Sequence, residues 1–164
     1  RIAMIYEGTT GIQALDLLGR KVLGSGGKLL IKFTEIIDKF CAAHCSEEEA
    51  TFAEPLKRYK DEWLKISLEI GERAAKDPNE AGAAAYDYLM YSGYVVLAYF
   101  WARMAMLAQL KISTSDSDTS FYEAKLITAK FYFARILPRT RFHLESISSG
   151  AKNLMELPAE LFAM

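Results

Sequence analysis

The stretch from Pro78 to Leu110 constrains the fold more than any other part of the chain. It opens on Asp77-Pro78-Asn79-Glu80, which combines an Asp cap, a Pro at the first helical position and a Glu two residues on. The residues beyond it are poor in charge, and Tyr94-Val95-Val96-Leu97-Ala98-Tyr99-Phe100-Trp101 contains none. A helix apolar on nearly all sides has to be surrounded, so the rest of the chain must supply the helices that surround it.

The remaining segments have the periodicity for that task. Thr10-Gly11-Ile12-Gln13 has the spacing of a capping box, so a helix is expected to start near Gly11. Ile12, Leu15, Leu18 and Val22 fall on one stripe, and Gly24 suits the helix end. Ser25-Gly26-Gly27 reads as a flexible connector. From Lys28 to about His44, the residues Leu29, Phe33, Ile36, Ile37 and Phe40 repeat at helical spacing. Ser46 with Glu49 is a second capping box, and Glu54-Pro55 suits a restart with Pro at the first position. Leu56, Tyr59, Trp63, Ile66 and Ile70 are expected to form the buried face there. Ser113 to Thr119 is polar and turn-rich, and a last helix runs from about Ser120 to Ser148, bent by Pro138 near Ala134. No strand pair, repeat or low-complexity tract interrupts this pattern. The expected fold class is all-α: an antiparallel up-and-down helical bundle of four to five helices over residues 28–164, preceded by a short helical segment, residues 1–24, with Gly26-Gly27 as the seam.

Composition narrows function. The 164 residues are 51% apolar and carry a net charge of −1. That balance offers no electrostatic case for nucleic acid or an anionic membrane surface. Two cysteines, Cys41 and Cys45, with no secretory signal upstream, favour a reduced cytoplasmic protein. A first residue Arg1 reads as a boundary inside a longer chain.

The chemistry concentrates at the N-terminus. Ile5-Tyr6-Glu7-Gly8-Thr9-Thr10-Gly11-Ile12-Gln13, continuing to Arg20, resembles the acyl-CoA dehydrogenase family, in which a Tyr-Glu-Gly-Thr turn joins two helices at the active site. The likeness is strongest over residues 2–23, and the remainder is similar in length and texture to the C-terminal helical extension of longer bacterial members. The resemblance implies α,β-dehydrogenation of an acyl-CoA thioester, with Glu7 as the base that takes the α-proton and FAD receiving the β-hydride. A carboxylate suits that role where an apolar surround, here Met4 and Ile5, lifts its pKa toward working pH. Gly8 admits close backbone approach, and the resemblance places Gly8 and Tyr6 at the substrate and Thr9, Thr10 and Gly11 against FAD, near a helix N-terminus that suits phosphate. It also implies an electron-transfer flavoprotein as acceptor. With the upstream flavin-binding part absent from this sequence, the chain alone is expected to hold no FAD and to be inactive.

Other candidates have plainer readings. Cys41, His44 and Cys45 share a helix face at a spacing zinc permits, but no fourth ligand is near, so no metal is expected. His143 stands alone and reads as a surface or capping residue. Leu89 to Leu110 is apolar enough to raise a membrane-spanning reading, yet Ser92, Arg103 and Gln109 interrupt it, which favours a buried central helix. The tyrosines from Tyr86 to Tyr99 read as core with hydroxyls at the rim. Lys125, Lys130, Arg135, Arg139 and Arg141 give the last helix a basic, solvated face. Exposed aromatic residues on the outer helices, such as Trp63, Phe131 and Phe133, point to a homodimer through an apolar helix face.

Overall fold

The computed structural model describes residues 9–44, 46–114 and 118–163. Among these the fold is all-α, a helical bundle without strands. The elements are α1 (Thr10–Leu15), which continues as a π-helical stretch (Asp16–Leu23), α2 (Lys28–Ala43), α3 (Glu47–Ala74), α4 (Asn79–Thr114), α5 (Ser120–Phe131), α6 (Thr140–Ser149) and the short α7 (Lys152–Met155). The chain forms two compact units. The first takes the described residues of Arg1–Ile31, Leu64–Tyr91 and Arg141–Met164; the second takes those of Lys32–Trp63 and Ser92–Thr140. Helices α3 and α4 contribute to both.

In the first unit, Thr9 rather than Thr10 is the cap of α1, so the expected Thr10–Gln13 capping box does not form and Thr9 makes no side-chain cap bond. The apolar stripe shifts too. Ala14, Leu18 and Val22 are buried, whereas Ile12 and Leu15 are exposed. Gly24 has an ordinary helical φ of −63°. The reversal falls instead on Gly26 and Gly27, at φ +60° and +78°, a consecutive left-handed pair that residues with a Cβ adopt only under strain. Ile66 and Ile70 on α3 and Ala84, Ala85, Tyr88 and Tyr91 on α4 are buried, and Ser67 Oγ lies 2.7 Å from Tyr88 Oη. Asp77 accepts the Asn79 N–H at 3.0 Å, the cap expected from the sequence.

The end of α6 is held to these two helices. Gly150 turns the chain at φ +72°. Glu80 accepts the Ala151 N–H at 3.1 Å, and Arg73 donates from Nη2 to the Ile147 carbonyl at 3.0 Å. Arg73 Nε stands 3.5 Å from Glu80 Oε2. His143, expected at the surface, is buried and shares a 2.7 Å hydrogen bond with Asp87. A polar ring so enclosed requires such a partner, and this one lies on α4, 56 residues away in sequence.

In the second unit, α3 starts with the Ser46–Glu49 capping box: the Ser46 N–H donates to Glu49 Oε2 at 3.2 Å and the Glu49 N–H to Ser46 Oγ at 3.4 Å. Pro55 does not restart a helix; it lies inside α3. An interior proline costs about 3 kcal/mol, and the burial of Phe52, Ala53 and Leu56 around it offsets that. Trp63 is buried, as its place on the inward stripe of α3 predicts, with its ring edge-on to Phe33; it is therefore no part of an outer aromatic face, and of Trp63, Phe131 and Phe133 only Phe131 is exposed. On α2 the buried positions are Thr34, Ile37 and Cys41, while Ile36 is exposed; in the first unit Leu30 is buried and Leu29 exposed, so the stripe again differs from the expected one. The last helix does not run unbroken to Ser148. Ahead of Pro138, α5 passes into a π stretch (Tyr132–Ile136) and a 3-10 turn (Leu137–Arg139). Pro138 has no N–H to give to the Ala134 carbonyl, and the Leu137 N–H before it reaches back to the Tyr132 carbonyl.

Helix α4 meets the expectation of a core helix on one side only. Val95, Ala98, Ala102 and Ala105 are fully buried, a row of small side chains that lets a neighbouring helix come close. Its larger residues Leu97, Phe100, Met104, Leu107 and Leu110 stand exposed. By length and composition α4 is able to cross a membrane, which is weak evidence because a soluble core helix satisfies the same requirement.

Candidate functional site

The residues with the sharpest sequence signal divide between described and undescribed parts. Glu7, Tyr6 and Gly8 lie outside the described residues. Thr9, Thr10 and Gly11 form the first turn of α1, with the Gln13 N–H donating to the Thr9 carbonyl at 2.9 Å. The N–H groups of this turn precede the first intrahelical bonds and point outward, and a Cβ at Gly11 would meet nothing within 4 Å. Backbone N–H groups in a first helical turn can receive an oxygen-rich anionic group such as a phosphate. One turn further on, Asp16 pairs with Lys21 at 3.0 Å and with Arg20. The hydrogen bond from Lys21, with that from Arg20, holds its carboxyl below the usual aspartate range despite partial desolvation.

The cysteine and histidine of α2 are engaged by backbone. Cys41 Sγ donates to the Ala53 carbonyl at 3.5 Å, and His44 Nδ1 donates to the Phe40 carbonyl at 2.8 Å. Burial first, then nearby Asp38, raises the Cys41 thiol to about 11. Cys45 lies outside the described residues, and among those described no three His, Cys, Asp or Glu side chains gather as metal ligands. Beside Cys41 sits a charge cluster that the sequence pattern did not reveal. Lys60 has its ammonium buried and lies 2.6 Å from Asp38 and 2.5 Å from Asp61. Burial alone would depress its pKa, but the bonds to Asp38 and Asp61 outweigh that and raise it.

The second unit carries two surface grooves. One, of about 380 Å³, is of mixed character, with Glu48, Thr51, Gln109 and Lys130 beside Ile112 and Leu126. The other, of about 410 Å³, has Phe40, Met106, Leu107 and Leu110 for its floor, with Arg103, His44 and Glu49 around it. In the sequence Arg103 stands out only as a charge interrupting an apolar run. A single cation within the apolar run from Leu89 to Leu110 was the signal available. Of the basic residues on the last helix, Lys130, Arg135, Arg139 and Arg141 are solvent-exposed and Lys125 is partly covered, with its ammonium 5.3 Å from the Phe121 ring.

Comparison with known proteins gives a consistent picture. The family described as "Acetyl-CoA dehydrogenase C-terminal like" matches residues 33–158. The chain is similar to 3-methylmercaptopropionyl-CoA dehydrogenase of Ruegeria pomeroyi, at 33% identity over 84% of this chain and 24% of that protein. It is similar also to a broad-specificity linear acyl-CoA dehydrogenase of Mycobacterium tuberculosis, at 26% identity over 99% of this chain and 28% of that protein. A butyryl-CoA dehydrogenase of Syntrophomonas wolfei is 23% identical over 99% of this chain and 27% of its own length. The chain thus spans about a quarter of the length of these relatives.

Proposed function

Because the chain belongs to the acetyl-CoA dehydrogenase C-terminal-like family, we propose that it is the C-terminal part of a flavin-dependent dehydrogenase of acyl-CoA thioesters. The observation that carries this reading is the family match over residues 33–158, downstream of the Tyr6-Glu7-Gly8-Thr9 motif. Residues 1–24 then close the catalytic domain and 28–164 form the C-terminal helical domain. Glu7 removes the α-proton of the thioester, and its backbone N–H donates to the thioester carbonyl as negative charge builds on that oxygen. Tyr6 and Gly8 border the substrate, and Gly8 allows the close approach. Thr9, Thr10 and Gly11 present the outward-facing first turn of α1 to FAD. When bound, FAD supplies the acceptor for the β-hydride. The exposed Ile12 and Leu15 of α1 provide an apolar surface for the remainder of a longer chain. We place the parent in the cytoplasm, with an electron-transfer flavoprotein as acceptor.

The test is Glu7→Gln in the full-length protein. FAD content and fold are expected to persist while turnover on an acyl-CoA panel falls by about 10²–10⁴ or more. Turnover near the parent's would move the base elsewhere. The 164-residue chain by itself is expected to purify colourless and without dehydrogenase activity.

A second reading, a non-catalytic association module, is favoured by the exposed Leu97 and Phe100 on α4 and by Phe121, Ile127 and Phe131 on α5. Apolar residues in that number on one unit suit a homodimer contact. The two readings are compatible, since they rest on different ends of the sequence.

A further inference from the structure

The apolar groove of the second unit carries an inference independent of the dehydrogenase reading. Its floor, Phe40, Met106, Leu107 and Leu110, has no charge, and its volume of about 410 Å³ falls in the range of small-molecule sites. Three polar side chains surround this floor, and two of them are committed. Glu49 accepts both the N–H and the hydroxyl of Ser46, at 3.2 and 2.7 Å, and these bonds hold its carboxyl below the usual range. His44 gives its Nδ1–H to the Phe40 carbonyl, and its ring lies 4.4 Å from the Phe40 ring. That leaves Nε2 as the ring nitrogen open to a ligand in the groove.

Arg103 differs. It is solvent-exposed, and among the described residues no carboxylate stands within ion-pair distance of it. Its guanidinium instead lies over the rings of Tyr99 and Phe100, at 5.5 and 6.0 Å. Two aromatic faces pre-orient the cation and strip part of its water, while its N–H fork keeps the capacity for a bidentate anion. A planar cation without a counter-ion beside an uncharged floor is complementary to one chemical class: a chain of carbon ending in a carboxylate.

We propose that this groove binds an amphipathic carboxylate of medium chain length, with its alkyl portion on Phe40, Met106, Leu107 and Leu110 and its head group on Arg103. Glu49 repels the head from its own side and so sets the direction in which the ligand lies.

Decanoate titrated into the 164-residue chain, followed by calorimetry and by backbone amide shifts of Met106, Leu107 and Leu110, tests the proposal. Saturable one-to-one binding is expected, with decanol and decylammonium much weaker and acetate not bound. Arg103→Met retains the aliphatic stem and should weaken decanoate by about tenfold or more, since a hydrogen-bonded charge is lost. Glu49→Gln should tighten it. Equal affinity for decanoate and decanol, or unchanged affinity in Arg103→Met, would overturn the assignment. So would binding of an acidic amphipathic peptide but not of decanoate, which would give the groove to a protein partner. Amide spectra of each variant that overlay the parent's outside the groove exclude misfolding as the cause.

Discussion

Gly150 offers the most demanding test of how the first unit is held together. Replacing it by Ala has two consequences that can be separated. The backbone there is left-handed, at φ +72°, and a residue with a Cβ pays about 1 kcal/mol or more for that conformation. The new Cβ would also stand 3.1 and 3.2 Å from the Glu80 carboxylate oxygens. Glu80 must then retreat, and in doing so it lengthens its bond from the Ala151 N–H, a partly buried bond to a charged acceptor. Losing much of such a bond costs about 1.5–3 kcal/mol. Gly26 is the control: its φ is also positive, at +60°, but a Cβ there meets nothing within 4 Å. Gly26→Ala is therefore expected to destabilise by about 0.5–1 kcal/mol, after the gain from a stiffer unfolded chain, and Gly150→Ala by about 2–3 kcal/mol. For a chain of this length that is roughly 4–12 °C in Tm. Urea and thermal unfolding followed by circular dichroism read the difference. In a Glu80→Ala background the excess should vanish, giving a coupling of about 1–2 kcal/mol. If Gly150→Ala costs no more than Gly26→Ala, the Glu80 contact contributes nothing and the reasoning fails.

Two further outcomes are expected. The Cys41 thiol, raised from 9.0 to about 11, is held protonated more tightly in the folded chain than in the unfolded one; its contribution to stability is therefore present below pH 9 and lost as pH rises from about 9 to about 11. Urea midpoints at about pH 8.5 and about pH 10.5 should fall further apart in the parent than in Cys41→Ala, and iodoacetamide at about pH 8 should label Cys41 only after denaturation; early labelling or equal pH dependence would contradict the burial argument. Light scattering across a concentration series should show a dimer of the 164-residue chain that Ile127→Glu and Phe131→Glu dissociate, whereas a monomer at high concentration would remove the association reading.

What the sequence alone determined is what depends on neighbours a few residues away. Helices appear where 3.6-residue periodicity and caps agree, so the Ser46–Glu49 box and the Asp77 cap are found as read. The family assignment was legible for a similar reason, because it rests on a contiguous motif and on length. What only the tertiary structure decided is which face of each helix turns inward. Ile12, Leu15, Leu29 and Ile36 are as apolar as the residues that are buried, yet they stand exposed while Ala14, Leu30, Thr34 and Ile37 are covered. Periodicity defines a stripe to within a residue or so, and the partner helix selects the side. The same limit concealed the His143–Asp87 bond, the Lys60 cluster and the contact of Glu80 with Gly150. Each includes a partner brought in from a distant part of the chain, and a charge or a lone histidine in sequence carries no mark of the partner that burial will require of it.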